Sequence, residues 1–220
     1  MQIYLIRHGQ TYFNKYGKMQ GWSDTPLTIE GEKAAETAGK RLANEKFERV
    51  FSSDLRRTVE TAKIILKYSK YNANTLIEPM KEFRETFFGE FEGNYDTEVY
   101  SRLAKKLNIA ENELFERLSF VDISNELQKM EPSKDMESHI VCEKRIFAGL
   151  DIVTSKIENH NSSRVLIVTH GNVIRNIVNK ITPNINVKKE INNSGITIIE
   201  YAEKKYKLTQ FNDMEVNNDN

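Results

Sequence analysis

The sequence predicts an α/β fold in which a mostly parallel sheet is covered by helices on both faces. The first observation is that three short apolar runs, residues 3–6, 49–52 and 164–168, each end abruptly in polar residues. The second is that a helix-like pattern follows each run, so that a strand–loop–helix unit repeats along the chain. Ligands in open α/β sheets bind beyond the carboxyl ends of the strands. We therefore expect the polar residues after these runs to form a site at one edge of the sheet.

The remaining elements extend this prediction along the chain. Helix-like patterns cover residues 28–43, 54–66, 97–107, 111–130, 137–158 and a stretch that ends at 181. Shorter strands are predicted at residues 75–77, 196–201 and 206–211, and long loops at residues 10–27 and 83–93. We expect one domain over residues 1–213, with a helical cap insertion at about 94–135 and a disordered tail at 214–220.

Composition and charge exclude several classes of protein. The 220 residues are 39% hydrophobic, and no apolar stretch approaches the roughly 18 residues that a membrane span requires. The 32 basic and 32 acidic side chains cancel, so no overall field attracts the chain to nucleic acid or an anionic membrane. The amino terminus has no basic leader, from which we expect a cytoplasmic protein. The single cysteine, Cys142, excludes an internal disulfide and a multi-cysteine metal site, and we expect a buried thiol.

Two of the four histidines occupy equivalent places in the predicted sheet. His8 and His170 each follow an apolar strand and precede a glycine, so both are expected at the same carboxyl edge. One such histidine alone would favour a structural role. Arg7 adjoins the first histidine, and Arg57 lies just inside the helix after the second strand. Because two guanidinium groups can bind the oxygens of a phosphate dianion bidentately, these four residues predict an anion pocket on an otherwise neutral protein.

Four short motifs contain these residues. They are residues 5–11 (LIRHGQT) with Asn14, residues 52–62 (SSDLRRTVETA), residues 83–85 (FRE) with Gly89 and residues 92–93 (EG), and residues 168–172 (VTHGN). In this order they resemble the motifs of the histidine phosphatase superfamily, which includes cofactor-dependent phosphoglycerate mutases and fructose-bisphosphatase domains. The resemblance spans nearly the whole chain. It implies a phosphoglycerate mutase-like fold, a three-layer α/β/α arrangement around a mixed, mostly parallel sheet.

The resemblance also implies a mechanism that these residue types can carry. His8 is the expected nucleophile and forms a phosphohistidine, which requires a neutral ring with one free nitrogen. Arg7, Arg57 and His170 are expected to clamp the phosphoryl oxygens and stabilise the transition state. Glu85 occupies the family's position for the general acid, and the same carboxylate then activates water. The sequence does not fix its protonation state, because burial raises and arginines lower the pKa of a carboxyl group.

Further binding residues follow from motif position. Asn14, Gln20, Gly21 and Gly171 fall where family members bring side chains or backbone to the phosphate and the substrate. The reaction needs no metal and no other cofactor, and the expected partner is a small-molecule phosphomonoester rather than a nucleic acid or a membrane.

Three functions are compatible with the motifs, and phosphatase activity is favoured. Mutase-type members carry an arginine directly after the acid-position glutamate, whereas this chain has Glu85-Thr86. A cofactor-dependent phosphoglycerate mutase is therefore the first alternative. A non-catalytic phosphoester-binding or signalling protein is the second, and the complete set of motif residues argues against it. The physiological substrate and the oligomeric state stay open.

Overall fold

The sheet contains all the strands of the described chain and is mixed. A computed structural model describes residues 1–158, 162–183 and 190–214. Within these ranges the strands are β1 (Gln2–Arg7), β2 (Arg49–Ser53), β3 (Ile77–Met80), β4 (Arg164–Thr169), β5 (Ile196–Ala202) and β6 (Lys205–Asp213). Their order across the sheet is β3-β2-β4-β1-β5-β6. The first four in this order are parallel, and β5 and β6 are antiparallel to their neighbours.

Helices connect the strands and cover the sheet. They are α1 (Tyr12–Lys15), α2 (Ile29–Arg41), α3 (Arg56–Lys67), α4 (Asp96–Leu107), α5 (Glu111–Arg117), α6 (Phe120–Met130), α7 (His139–Ser155) and α8 (Gly171–Ile181). Short 3-10 turns at Lys81–Phe83 and Gly89–Phe91 flank an irregular segment that contains Glu85. In the part of the chain that the structure describes, no helix has both the length and the apolar character that crossing a membrane would demand.

Alternate residues of the central strands build two hydrophobic cores, one on each face of the sheet. In β1, Ile3 and Leu5 pack with α7 and α8, whereas Tyr4 and Ile6 pack with α2 and α3. Because successive side chains of a strand point to opposite faces, this division gives three layers, helices on both sides of a sheet. The predicted fold class is confirmed.

The α4–α6 segment has a hydrophobic cluster of its own. Buried side chains of these helices, among them Leu103, Leu114 and Leu127, pack together with Phe88 and Phe91 from the loop before α4. This segment lies within the range of the predicted cap insertion, and its role as a cap stays a prediction. The domain limits stay a prediction. Residues 215–220, which make up most of the predicted tail, lie outside the described ranges.

Several predicted element boundaries are wrong. The single helix predicted over residues 111–130 is two helices, because the Ser119 side chain accepts a hydrogen bond from the Asp122 backbone and begins a new helix there. The predicted loop 10–27 contains α1, which Thr11 caps in the same way. The third strand lies at Ile77–Met80 rather than at 75–77, and α3 begins at Arg56, two residues later than predicted.

Candidate active site

The strand register brings the two predicted histidines together. Arg7 of β1 lies opposite Thr169 of β4, so the next residues, His8 and His170, leave the sheet at the same level. Both side chains are buried, and their ring centroids lie 5.2 Å apart in an edge-to-face arrangement. The expectation that both histidines share one edge of the sheet is met by the geometry.

The hydrogen bond of His8 determines which ring nitrogen is free. Its Nδ1 lies 2.7 Å from the carbonyl oxygen of Gly9, and because a carbonyl only accepts, Nδ1 carries the hydrogen. Burial lowers the pKa of His8 well below its ordinary value, and the charges of Arg57 and then Arg7 lower it further. The ring is therefore neutral, with a lone pair on Nε2. The two arginines contribute less to the lowered pKa of His8 than burial does.

His170 adopts the opposite tautomer. Its Nδ1 accepts a hydrogen bond from Nη2 of Arg57 at 3.0 Å, so Nε2 carries the hydrogen. This buried Nε2–H has no hydrogen-bond partner among the described residues. Burial, followed by the charge of Arg57, holds the pKa of His170 well below its ordinary value. The ring is thus a neutral donor beside the His8 ring.

Arg57 is fully buried and fixed by the loop that follows α1. Its guanidinium donates to the carbonyl oxygens of Ser23 at 2.8 Å and Gly21 at 2.7 Å, and to Oδ1 of Asp24 at 3.1 Å. Its Nε is buried and has no partner within the described ranges. Since an unpaired buried N–H is costly, its presence next to the paired histidines fits a site that binds an anion.

Arg7 is oriented by the segment before β5. Its Nη1 donates to Oε1 of Glu190 at 3.0 Å and to the carbonyl oxygen of Ile191. Its Nε, like that of Arg57, is buried without a partner in the described part of the chain. Arg7, Arg57 and His170 therefore each keep a buried N–H that no described residue accepts, which is the property that a phosphate clamp requires.

Glu85 lies in the irregular segment after the first 3-10 turn, with its carboxyl group buried. Oε1 accepts from the backbone N–H of Thr86 at 2.8 Å, and Oε2 from that of Asn172, in the first turn of α8, at 3.1 Å. These bonds and the nearby arginines favour the charged form, but burial outweighs them and raises the pKa of Glu85. The carboxyl group thus stands beside the helix that His170 caps, with a pKa shifted in the direction that a general acid needs.

The predicted substrate-binding residues differ in what they contact. Gly171 and Asn14 line a cavity of about 350 Å³, and the Oδ1 of Asn14 accepts from the Thr11 backbone at 3.2 Å. Gln20 also borders the cavity, but its amide bonds the Thr11 hydroxyl at 2.5 Å and the Thr25 hydroxyl at 3.0 Å. Both polar ends of the Gln20 side chain therefore bond residues of its own loop.

Gly21 serves the site through its backbone. Its carbonyl oxygen is one of the acceptors that hold Arg57. A Cβ atom at this position would lie 2.1 Å from the carbonyl oxygen of Thr86 and 2.2 Å from Oε1 of Glu92, so only glycine permits this approach of the two loops.

The cavity lined by Arg7 and Glu85 carries charges of both signs. Its lining includes the cations Arg7, Lys18 and Arg175 and the acids Glu85, Asp96 and Glu190. Burial, and then the charge of Glu190, raises the pKa of Asp96 to about 6. Phe88, Tyr100 and Phe115 supply apolar surface from the loop before α4 and from the α4–α6 segment. The cavity lining is thus partly charged and partly apolar, and the α4–α6 segment forms one of its walls.

Several supporting residues have no assigned function in the sequence-based prediction, although Glu92 belongs to its third motif. Glu92 accepts hydrogen bonds from the backbone N–H groups of Gly21, Trp22, Ser23 and Phe88 and from the Ser23 hydroxyl. The signal that could have found it is the alternation of glycine, aromatic and acidic residues over residues 83–93.

Asn193 is a second such residue, and it donates to the carbonyl oxygen of His8 at 2.9 Å. It lies 185 positions away in a segment without periodicity, and no local pattern points to it. Arg56 and Arg84, which adjoin predicted site residues, bond Glu60 and Asp54 instead, as expected of side chains that face elsewhere.

Comparison with known proteins agrees with this geometry. A curated relative named phosphoglycerate mutase-like protein 4, from Arabidopsis thaliana, is 29% identical over 90% of this chain and 78% of its own length. Another, uncharacterized phosphatase PhoE from Bacillus subtilis, is 28% identical over 96% and 93%. The crystal structure of phosphoglycerate mutase from Bacillus anthracis superposes with a TM-score of 0.92 at 29% identity, covering 97% of this chain and 93% of that one. The family model of the histidine phosphatase superfamily (branch 1) matches residues 3–214, and the chain belongs to this superfamily.

Proposed function

We propose that the protein is a phosphomonoester phosphatase that forms a phosphohistidine on His8. The observation that carries the proposal is the free Nε2 lone pair of a buried, neutral His8 near three residues whose buried N–H donors have no partner among the residues that the structure describes. Those residues are Arg7, Arg57 and His170. A dianionic phosphoryl group would accept hydrogen bonds from all three residues, and these bonds would offset the free-energy cost of burying unpaired N–H groups.

In the first step, Nε2 of His8 attacks phosphorus and the bond between phosphorus and the leaving oxygen breaks. The leaving alkoxide takes the proton of the Glu85 carboxyl group, whose raised pKa favours the protonated form. Arg7, Arg57 and His170 stabilise the charge on the transferring group. Loss of one such donor costs about 10²–10³ in rate in comparable sites.

In the second step, the Glu85 carboxylate takes a proton from a water molecule, which attacks phosphorus. The bond between phosphorus and Nε2 breaks, its electron pair returns to the ring, and inorganic phosphate leaves. His8 is again neutral and Glu85 is again protonated. Each residue thus ends the cycle in the state that burial favours for it.

The charges around the cavity favour hydrolysis over mutase chemistry. A mutase has to hold a bisphosphorylated intermediate, which requires cations beyond the phosphoryl clamp. Beyond Arg7 and Glu85 the lining provides Lys18 and Arg175 but also Asp96 and Glu190, so a second phosphate would face two carboxyl groups. The named phosphatase among the relatives agrees with this choice.

Phosphoglycerate mutase activity is a second candidate, because the superposition with the phosphoglycerate mutase of Bacillus anthracis is close. The test is to measure the isomerisation of a phosphoglycerate in the presence of a bisphosphoglycerate. If the bisphosphoglycerate stimulates this isomerisation, and if it is faster than the release of inorganic phosphate, the function is that of a mutase.

The decisive experiment is isotope labelling of the protein by a ³²P phosphomonoester, with quenching in alkali, where phosphohistidine survives. We expect label on the wild-type protein and none on His8→Ala, together with a loss of phosphate release of at least about 10³-fold, because no other group replaces the nucleophile. An unlabelled wild-type protein that binds phosphomonoesters would instead support a non-catalytic binding protein.

A further inference from the structure

Three carbonyl groups of the segment that ends at Glu85 converge on one guanidinium group, that of Arg145 in α7. Nη1 of Arg145 donates to the carbonyl oxygens of Glu82 at 2.8 Å and Arg84 at 2.9 Å. Nη2 donates to the carbonyl oxygen of Glu85 itself at 3.3 Å. A single side chain thus binds the main chain of the expected acid residue and of two residues before it.

Arg145 is held in turn. Glu137 accepts from its Nε at 2.8 Å and from its Nη2 at 2.6 Å, a bidentate pair in which the side chains are only 17% and 9% exposed. The helix that carries Arg145 is anchored in the core, since Ile146 and Leu150 of α7 are fully buried. Bidentate pairs of this kind combine charge with fixed geometry. The guanidinium therefore forms a rigid surface against which the Glu85 segment lies.

The Glu85 segment depends on such anchors because it has no regular structure of its own. Residues 84–88 belong to no helix or strand. Besides Arg145, the indole Nε1 of Trp22 donates to the Glu85 carbonyl oxygen at 2.9 Å. The carboxyl group itself is held by backbone N–H groups of Thr86 and Asn172. Removing Arg145 therefore frees the main chain of Glu85 on the α7 side.

We propose that Arg145 is a positioning residue that sets the placement of the Glu85 carboxyl group for proton transfer. This inference rests on the proposed function, in which Glu85 protonates the leaving group. Lysine cannot replace Arg145, because an ammonium group lacks the planar fork that reaches three carbonyl groups and a carboxylate together. A displacement of about 1 Å is enough to cost on the order of 10²-fold in rate.

The test is Arg145→Lys, assayed with two substrates that differ in their need for an acid. With an alkyl phosphate we expect kcat/KM to fall about 10–100-fold, mainly through kcat, because the poor leaving group requires a proton from Glu85. With p-nitrophenyl phosphate, whose leaving group needs no proton, we expect a fall below about threefold. We also expect the alkaline limb of the alkyl phosphate profile to move to lower pH, since water reaching Glu85 lowers its raised pKa.

Arg84→Gln is the matched control, because it removes an arginine ion pair from the same segment but leaves the Arg145 contacts intact. Circular dichroism and thermal unfolding establish that each variant folds. If Arg145→Lys does not fold, Glu137→Gln decides, since it loosens the guanidinium without removing it.

The proposal is overturned if the folded variant loses activity equally on both substrates, or loses none, with an unchanged alkaline limb. Failure of the proposed function is seen separately, as a wild-type protein that releases no phosphate and carries no label on His8.

Discussion

Burial shifts the pKa values of His8 and Glu85 in opposite directions, but it favours the neutral form of both side chains. It lowers the pKa of the histidine and raises that of the carboxyl group, and in each case it is the largest cause. Both shifts favour the neutral form. A neutral imidazole is a nucleophile and a neutral carboxyl group is an acid, so the same dry environment prepares both partners of the proposed first step.

These shifts predict a bell-shaped dependence of kcat/KM on pH. Activity falls on the acid side as His8 becomes protonated, well below pH 6.5, because its pKa is lowered from that value. It falls on the alkaline side as the carboxyl group of Glu85 ionises, at a pH above 4.5, because its pKa is raised. Glu85→Gln removes the alkaline limb and lowers kcat/KM for an alkyl phosphate about 10²–10⁴-fold. Steady-state rates across pH, corrected for ionisation of the substrate, measure both effects.

Glu90→Gln is the control for this variant, because Glu90 is an exposed carboxylate of the same loop. An alkaline limb that persists in Glu85→Gln would assign the acid to another group, and Asp96, with a pKa raised to about 6, is the residue to test next.

At the scale of elements, one carboxylate makes several of the contacts that hold the two site loops together. Glu92 accepts from Gly21, Trp22 and Ser23 on one loop and from Phe88 on the other. The first loop also provides the carbonyl groups that hold Arg57. Glu92 therefore helps to determine the position of Arg57 through the backbone of the first loop.

Glu92→Gln is predicted to lower both stability and activity. Glutamine presents an NH₂ group to N–H donors that now bind an oxygen, which leaves part-buried donors unpaired at a cost of about 1 kcal/mol. We expect kcat to fall about 10–100-fold because Arg57 loses its fixed position. Urea unfolding and phosphate release measure the two effects, with Glu90→Gln again as the control. Wild-type values in Glu92→Gln would show that the loops hold together without this carboxylate.

Element types were predictable where one strong pattern dominated, as in the apolar runs of β1 and β4. The prediction failed at residues 111–130, since the amphipathic pattern continues across the break and Ser119 looks like any polar residue on a helix surface. The start of α3 was also wrong, because Asp54 suits a helix N-terminus by type yet bonds Arg84 instead.

At the scale of the whole molecule, the residues of the proposed anion clamp are held by contacts within the fold itself. Arg7, Arg57 and His170 are fixed by contacts with separate parts of the chain, and each keeps a buried donor. Preorganised donors of this kind bind without an ordering cost. The free energy of anion binding is therefore expected to appear as stability of the whole fold.

Inorganic phosphate is predicted to stabilise the protein against heat. At about 100 times its Kd a ligand of the folded state contributes about 2.7 kcal/mol, which corresponds to roughly 5–10 °C in Tm for a chain of this size. Differential scanning calorimetry with phosphate, compared with chloride at equal ionic strength, measures the effect. An equal rise in chloride would mean that general screening, and not the clamp, is responsible.

The histidines and arginines could be singled out from the sequence because they lie at the ends of apolar strands or at the start of a helix, and Glu85 because its motif resembles that of the family. The residues that hold them were not, because their contacts are long-range. Glu190 reaches Arg7 across 183 positions, and Arg145 reaches the Glu85 carbonyl across 60. Such pairings arise only when the sheet brings distant segments together, and no local pattern records them.

The position of β1 in the sheet has a consequence for biosynthesis. Its neighbours are β4 and β5, which begin at Arg164 and Ile196, so β1 has no sheet partner until more than 160 residues have been made. Pairing over so long a separation is slow, and an unpaired apolar strand is prone to aggregation. The segment that carries His8 therefore stays without its sheet partners during most of the synthesis of this domain, and the candidate site residues come together only near the end of that synthesis.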